Sequence, residues 1–200
     1  MKRKLIKFIN FRFLNGKSSL ISVATIGIPS FFSTYQLSDG SLVNVHLFDT
    51  AGQEKFRSLS ENYYKKADCC LLVYDISNKM TFDECKNYYN NNIKEKCKKN
   101  IKVILLGNKT DLEDQRQVKP EEGAAFALEN DYIFMETSCL KNENVADAFE
   151  TLIEITNIES KKNKTTTGGN LKLSKDKIKN ESSGCFCWIF NLSIILNNYI

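Results

Sequence analysis

Two hundred residues, 42% of them hydrophobic and 26% charged, describe one ordinary soluble domain with a little length to spare. Collagen, coiled coil and wholesale disorder are excluded, and no apolar run approaches the roughly 18 residues that would signal a spanning helix. The 28 basic residues exceed the 24 acidic ones by a net charge of +4, too little to argue for nucleic acid.

The predicted elements alternate strand and helix. Residues 5–9 form a short apolar run. Residues 31–37 and 42–48 alternate with period two, and Asp39-Gly40 between them signals a hairpin. Residues 69–74 and 101–106 are continuous apolar runs, which suit parallel strands buried on both faces. Between them Thr81 can cap a helix whose Phe82, Cys85, Tyr89 and Ile93 share one face. Pro120-Glu121-Glu122 opens another helix, since proline is tolerated in the first turn. Residues 132–135 read as a strand, and Val145, Phe149, Leu152 and Ile153 as the stripe of a last helix. This order predicts an α/β domain layered around a mostly parallel sheet and ending near residue 159. Residues 160–184 hold few large apolar groups and are expected to be disordered. Their cluster, from Lys161 to Lys179, suits an anionic membrane surface or simply a solvated tail. The seven cysteines show no zinc spacing, and the N-terminus makes a poor secretory signal. Free thiols in a reducing cytosol follow, with Cys69, Cys70 and Cys85 expected in the core.

In such sheets ligands sit at the carboxyl ends of the strands, and four clusters fall there. Asn15-Gly16-Lys17-Ser18-Ser19 is the back half of a phosphate loop: backbone N–H groups cradle phosphates, Lys17 neutralises them and Ser18 can bind Mg²⁺. In Asp49-Thr50-Ala51-Gly52-Gln53-Glu54, a carboxylate can hold the hydration shell of Mg²⁺. Gly52 lets its N–H approach a phosphate, and Gln53 can orient a water. In Asn108-Lys109-Thr110-Asp111, the Asp111 carboxylate can accept two N–H bonds from the Watson–Crick edge of guanine, and the stem of Lys109 can lie on the base. In Glu136-Thr137-Ser138-Cys139, the Cys139 N–H could donate to guanine O6. Alone, the first cluster is a common accident and the third could be a helix cap; their joint order favours a purine nucleotide. The lone His46 reads as a surface or hairpin residue rather than a catalyst.

Together these motifs resemble the small GTPases of the Ras superfamily over roughly residues 25–187, most strongly 42–159. Phe56-Arg57-Ser58-Leu59, Tyr63-Tyr64-Lys65-Lys66-Ala67 and Leu72-Val73-Tyr74-Asp75-Ile76 are similar to the Rab branch. Gly184-Cys185-Phe186-Cys187 resembles its doubly geranylgeranylated end. The resemblance implies a three-layer P-loop GTPase domain over residues 1–159, with one antiparallel edge strand and a truncation near the first helix. A hypervariable tail, 160–184, and a Cys-x-Cys segment with an apolar extension, 185–200, would follow. It implies a guanine-nucleotide switch in vesicle traffic, peripheral on the cytosolic face of an endomembrane, with GTP or GDP and Mg²⁺ bound. Lys17 would contact the outer phosphates, with backbone help from Gly16 and Ser19. Ser18 and Thr25 would ligate Mg²⁺, with Asp49 behind a water. Gly52 would sense the γ-phosphate, and Gln53 would place the water for slow hydrolysis. Asn108, Lys109, Asp111, Ser138 and Cys139 would hold guanine, and Cys185 and Cys187 would carry lipid. Implied partners are an exchange factor, a GTPase-activating protein, effectors, a dissociation inhibitor and a membrane surface, around a monomer with no nucleic acid.

The chain departs from that pattern in three places. Phe11 stands five positions before Gly16, where the phosphate loop has a glycine. Ser18 and Thr25 are seven positions apart, room for little more than one helical turn, so a normal switch I does not fit. Cys187 precedes thirteen further residues, which could lie in a membrane interface as a short apolar anchor. Three alternatives to a working switch therefore stand: a nucleotide-impaired binding module, an ordinary Rab misread through missed or retained introns, and a membrane-associated scaffold tethered by its Lys-rich and apolar tail.

Overall fold

A computed structural model describes residues 21–23, 30–49, 64–166 and 189–198. The strands are β1 Ile21–Val23, β2 Ser30–Gln36, β3 Leu42–Asp49, β4 Cys69–Asp75, β5 Lys102–Asn108, β6 Ile133–Thr137 and β7 Ile189–Asn198. They form one sheet in the order β1-β2-β3-β7-β4-β5-β6. Strands β3, β7, β4, β5 and β6 are parallel, and β2 runs against both of its neighbours. The direction reverses at the β2–β3 hairpin, where Gly40 has φ 81° and donates its N–H to Leu37 O at 2.9 Å. Only glycine takes that conformation without steric cost.

The period-two rule divides the core. On β4, Cys69, Leu71 and Val73 face one side with Ile104 and Leu106 of β5; Cys70, Leu72 and Tyr74 face the other with Val103 and Leu105. The first side is covered by helix Val145–Thr166, whose Val145, Ala148, Phe149, Leu152 and Ile153 are buried at helical spacing. The second is covered by two helices, Lys79–Tyr88 and Pro120–Glu129, through Phe82, Cys85 and Ala127. In chain order these helices are α1 (Lys79–Tyr88), α2 (Pro120–Glu129) and α3 (Val145–Thr166). Each fully buried Leu, Ile or Phe contributes about 1.5–3 kcal/mol of transfer free energy, so the β4–β5 centre anchors all three layers. Helix α2 lies so close to the sheet that a Cβ on Gly123 would meet Phe134 Cε2 at 2.6 Å.

Several boundaries differ from the sequence reading. The start of α1 is held by Asn78, whose Oδ1 accepts from Met80 N at 3.1 Å. Thr81 lies inside the helix, and its hydroxyl accepts from Asp75 N at 2.9 Å, fastening α1 to the end of β4. Beyond Tyr88 the helix widens into a π-turn, Tyr89–Ile93. Helix α3 runs to Thr166, past the expected domain edge at residue 159. The largest difference is β7. The apolar residues read as an extension behind Cys187 form a strand paired with β3 through 189–196 and with β4 through 194–198. Residues 5–9, the first predicted strand, lie outside the described residues.

Candidate nucleotide site

Three parallel strands end in one row: Asp75 of β4 is registered with Asn108 of β5, and Asn108 with Thr137 of β6. Asp49 ends β3 at the same carboxyl edge, beside Leu196 of β7. The loops leaving this row carry the predicted base-binding residues.

Asn108 is fully buried. Its Oδ1 accepts from Thr137 Oγ1 at 3.2 Å and from Cys139 N at 3.3 Å, so one carbonyl joins the β5 and β6 loops. Its Nδ2 is buried without a hydrogen-bond partner among the described residues. A buried amide in that state costs about 1–3 kcal/mol, and it suits a donor awaiting a carbonyl from another segment. Asp111 lies in a 3-10 turn, Thr110–Gln115, and its Oδ1 accepts from Ser138 Oγ at 2.5 Å. Ser138 Oγ in turn accepts from Lys141 N at 3.1 Å. The loop beyond is closed by mutual backbone bonds of Ser138 and Glu143, 3.1 and 2.9 Å.

Lys109 has φ 73°, in the left-handed region that a side chain seldom adopts. Its ammonium pairs with the Asp75 carboxylate, which also accepts from Ser77 N at 2.9 Å and Ser77 Oγ at 2.6 Å. Arg116 anchors the turn that carries Asp111. It meets Glu136 through two bonds of 2.7 and 3.0 Å and Glu113 through two of 2.8 and 2.7 Å. These hydrogen bonds, first to Glu113 and then to Glu136, raise the Arg116 pKa, and the same guanidinium holds Glu113 low. Burial first, then the charge of Asp111, pushes the Cys139 thiol up to about 12, so it stays protonated and inert at neutral pH.

Of the predicted residues, Asn108, Lys109, Asp111, Ser138 and Cys139 therefore converge, and the backbone of Asp49 reaches the same edge. Gly16, Lys17, Ser18, Ser19, Thr25, Gly52, Gln53, Cys185 and Cys187 lie outside the described residues. Three participants escaped the sequence reading: Asp75, Thr137 and Arg116. The partners that tie them across the site, Lys109, Asn108 and Glu136, lie 34, 29 and 20 residues away and left no local signal. The donor set fits a purine, with an acceptor carboxylate fixed by a serine and an orphaned amide beside it. Among the described residues no cluster of His, Cys, Asp and Glu could hold a metal ion.

Three layers around a parallel sheet, with a polar row at its carboxyl edge, define the architecture of nucleotide-binding α/β domains. A model of the Ras family matches residues 6–158. Ras-related protein Rab-8B of Homo sapiens is 37% identical over 177 residues, covering 86% of this chain and 84% of the relative. Ras-related protein Rab-8A of Bos taurus is 38% identical over 169 residues, covering 84% and 80%. The chain belongs to the Ras family, as a Rab-type small GTPase, a class of molecular switch.

Proposed function

We propose that the protein binds GTP and GDP with Mg²⁺, hydrolyses GTP slowly and signals its state to partners in vesicle traffic at an endomembrane. The observation that carries this reading is the Asp111–Ser138 bond of 2.5 Å beside the unpartnered Asn108 amide. Asp111 accepts the two N–H bonds of guanine's edge, a pair that adenine does not present. Lys109 covers the base face, and the Cys139 N–H is the donor to O6. Asn108 Nδ2 ties the base loop to the phosphate loop, where Gly16, Lys17, Ser18 and Ser19 supply N–H donors and an ammonium. Gly52 leaves room for the terminal phosphate, and Gln53 orients the water whose oxygen bonds phosphorus as the β–γ bridging oxygen leaves with GDP. Ser18, Thr25 and, through water, Asp49 would hold Mg²⁺, which would supply charge neutralisation on the phosphates. Cys185 and Cys187 carry lipid, and the regulators are an exchange factor, a GTPase-activating protein, effectors and a dissociation inhibitor. The Rab-8 names support the trafficking role. Among the described residues no helix is long and apolar enough to cross a membrane.

The test is to denature the purified full chain and assay the released nucleotide. Stoichiometric GDP supports the reading. Asp111→Asn is then expected to lower guanine affinity at least about tenfold, the scale of one charge-assisted hydrogen-bond pair, and to favour xanthine. Unchanged GDP affinity in that variant overturns the base pocket. A second reading, a nucleotide-impaired binding module, is favoured by β7, because the strand beside Asp49 does not lead into Gly16. It predicts no bound nucleotide and no Mg²⁺-dependent titration.

A further inference from the structure

We propose that Asp75 is a positioning residue for the base loop: it holds the Lys109 ammonium and so fixes the Lys109 stem along the face that a purine would occupy. The purine half of this statement rests on the function proposed above; the fixing of the loop does not.

Asp75 ends β4 in register with Asn108, the last residue of β5, and Ile76 N donates to Asn108 O at 3.0 Å. Two parallel strands ending at one register send their loops out side by side, so Lys109 leaves the sheet next to Asp75. Asp75 is only 6% exposed. A carboxylate so far from water needs a donor on each oxygen, and here the two oxygens serve different loops. Oδ1 accepts from Ser77 N at 2.9 Å and from Ser77 Oγ at 2.6 Å, which closes the turn after β4. Oδ2 takes the Lys109 ammonium. The turn needs Oδ1 alone, and asparagine supplies that oxygen equally well. The second oxygen is what makes aspartate necessary, and it faces the lysine.

Lys109 is a residue that has to be held. Its φ of 73° and ψ of 41° are left-handed, where Cβ crowds the following carbonyl. A non-glycine residue keeps such a conformation when its surroundings over-determine it. Lys109 is the N-cap of the 3-10 turn that carries Asp111, yet its side chain gives that turn no hydrogen bond. Its carbonyl accepts from Leu112 N at 2.8 Å, and its ammonium turns back to β4. Among the described residues Asp75 is the one carboxylate that the ammonium meets. Backbone at one end and ion pair at the other leave the four-carbon stem a single course, with 26% of the side chain exposed. A lysine is among the side chains that lose most rotamer freedom when they are ordered. That loss is complete here before any ligand arrives, which is preorganisation.

The test uses the full chain with Asp75→Asn, which keeps Oδ1 for Ser77 and puts an amide NH₂ where Oδ2 stood. The Kd for GDP should rise about tenfold, the scale of the rotamer entropy of one lysine. The Kd for inosine diphosphate should rise by the same factor, because the two bases share a face and differ at the edge that Asp111 reads. Lys109→Met keeps a stem of similar length without the charge, so adding Asp75→Asn to it should change GDP affinity no further. A merely structural aspartate would give additive losses. The Leu112 amide reads the loop without nucleotide: in Asp75→Asn it should exchange at least about tenfold faster, with the β4 and β5 amides unchanged. Lys109→Met cuts the same pair from the other side and should release that amide by the same factor, so the outcome does not depend on one variant folding. Additive losses, an unchanged Kd for GDP in Asp75→Asn, or a Leu112 amide unmoved in both variants overturns the proposal. A parent chain that binds no GDP, with the Leu112 amide released as expected, upholds the fixing of the loop and overturns the nucleotide function instead.

Discussion

Ser138 has no direct part in the proposed base contacts, yet it sets the direction of the group that makes them. Its hydroxyl donates to Asp111 at 2.5 Å and is itself oriented by Lys141 N. Hydrogen bonds to charged groups contribute about 1.5–3 kcal/mol. Ser138→Ala should therefore weaken GDP binding about tenfold or more in a fluorescence titration and also lower the urea midpoint of the empty protein, which already contains the bond. His46 gives a second prediction at this scale. Its ring stacks on Phe32 at 3.7 Å and leans on Phe48 at 3.9 Å, and Nε2 is buried without a hydrogen-bond partner among the described residues. Burial lowers its pKa, so the proton binds the unfolded chain first. Its contribution to stability is complete above about pH 6.5, the unfolded value, and is lost as pH falls from there through the lowered folded value. The urea midpoint should drop as pH falls below about 6.5, and His46→Phe should flatten that part of the profile.

At the scale of elements, Arg116 joins what the chain separates. Its fork holds the 3-10 turn carrying Asp111 to the end of β6 through Glu136, 20 residues away, and only 12% of its side chain is exposed. Removing one partner of such a pair leaves a charge poorly solvated and costs about 3 kcal/mol. Arg116→Ala should lower the urea midpoint accordingly. Arg116→Lys should recover little of it, because an ammonium cannot bond both oxygens of Glu136 while holding Glu113. The sequence hid this network for a physical reason. Periodicity reports which face of an element is apolar, so β2 and β3 were legible from period-two alternation, β4 and β5 from continuous apolar runs, and the stripes of α1 and α3 from helical spacing. Asn108, Asp111 and Ser138 were legible because their roles recur in a fixed local order. A charge pair spanning 34 residues, as between Lys109 and Asp75, has no local signature. The start of α1 was misplaced for a related reason: Asn78 and Thr81 both suit a cap, and the tie of Thr81 to Asp75 decides between them. β7 was harder still. A short apolar run reads equally as a membrane anchor or a central strand, and only its pairing with β3 and β4 distinguishes the two.

At the scale of the molecule, β4 and β5 are buried on both faces, so they join layers that would otherwise be independent. Leu71 shares a core with α3 on one face, and Leu105 shares one with α1 and α2 on the other. Trimming a fully buried leucine to alanine costs about 2–5 kcal/mol, as lost transfer energy plus the cavity left behind. Leu71→Ala and Leu105→Ala should therefore each lower the urea midpoint of the whole domain in one cooperative step, whichever layer is touched. Saturating GDP, which binds the folded chain, should raise the midpoint of both variants by the same free energy as in the parent. A biphasic transition in either variant would mean that the two faces unfold separately.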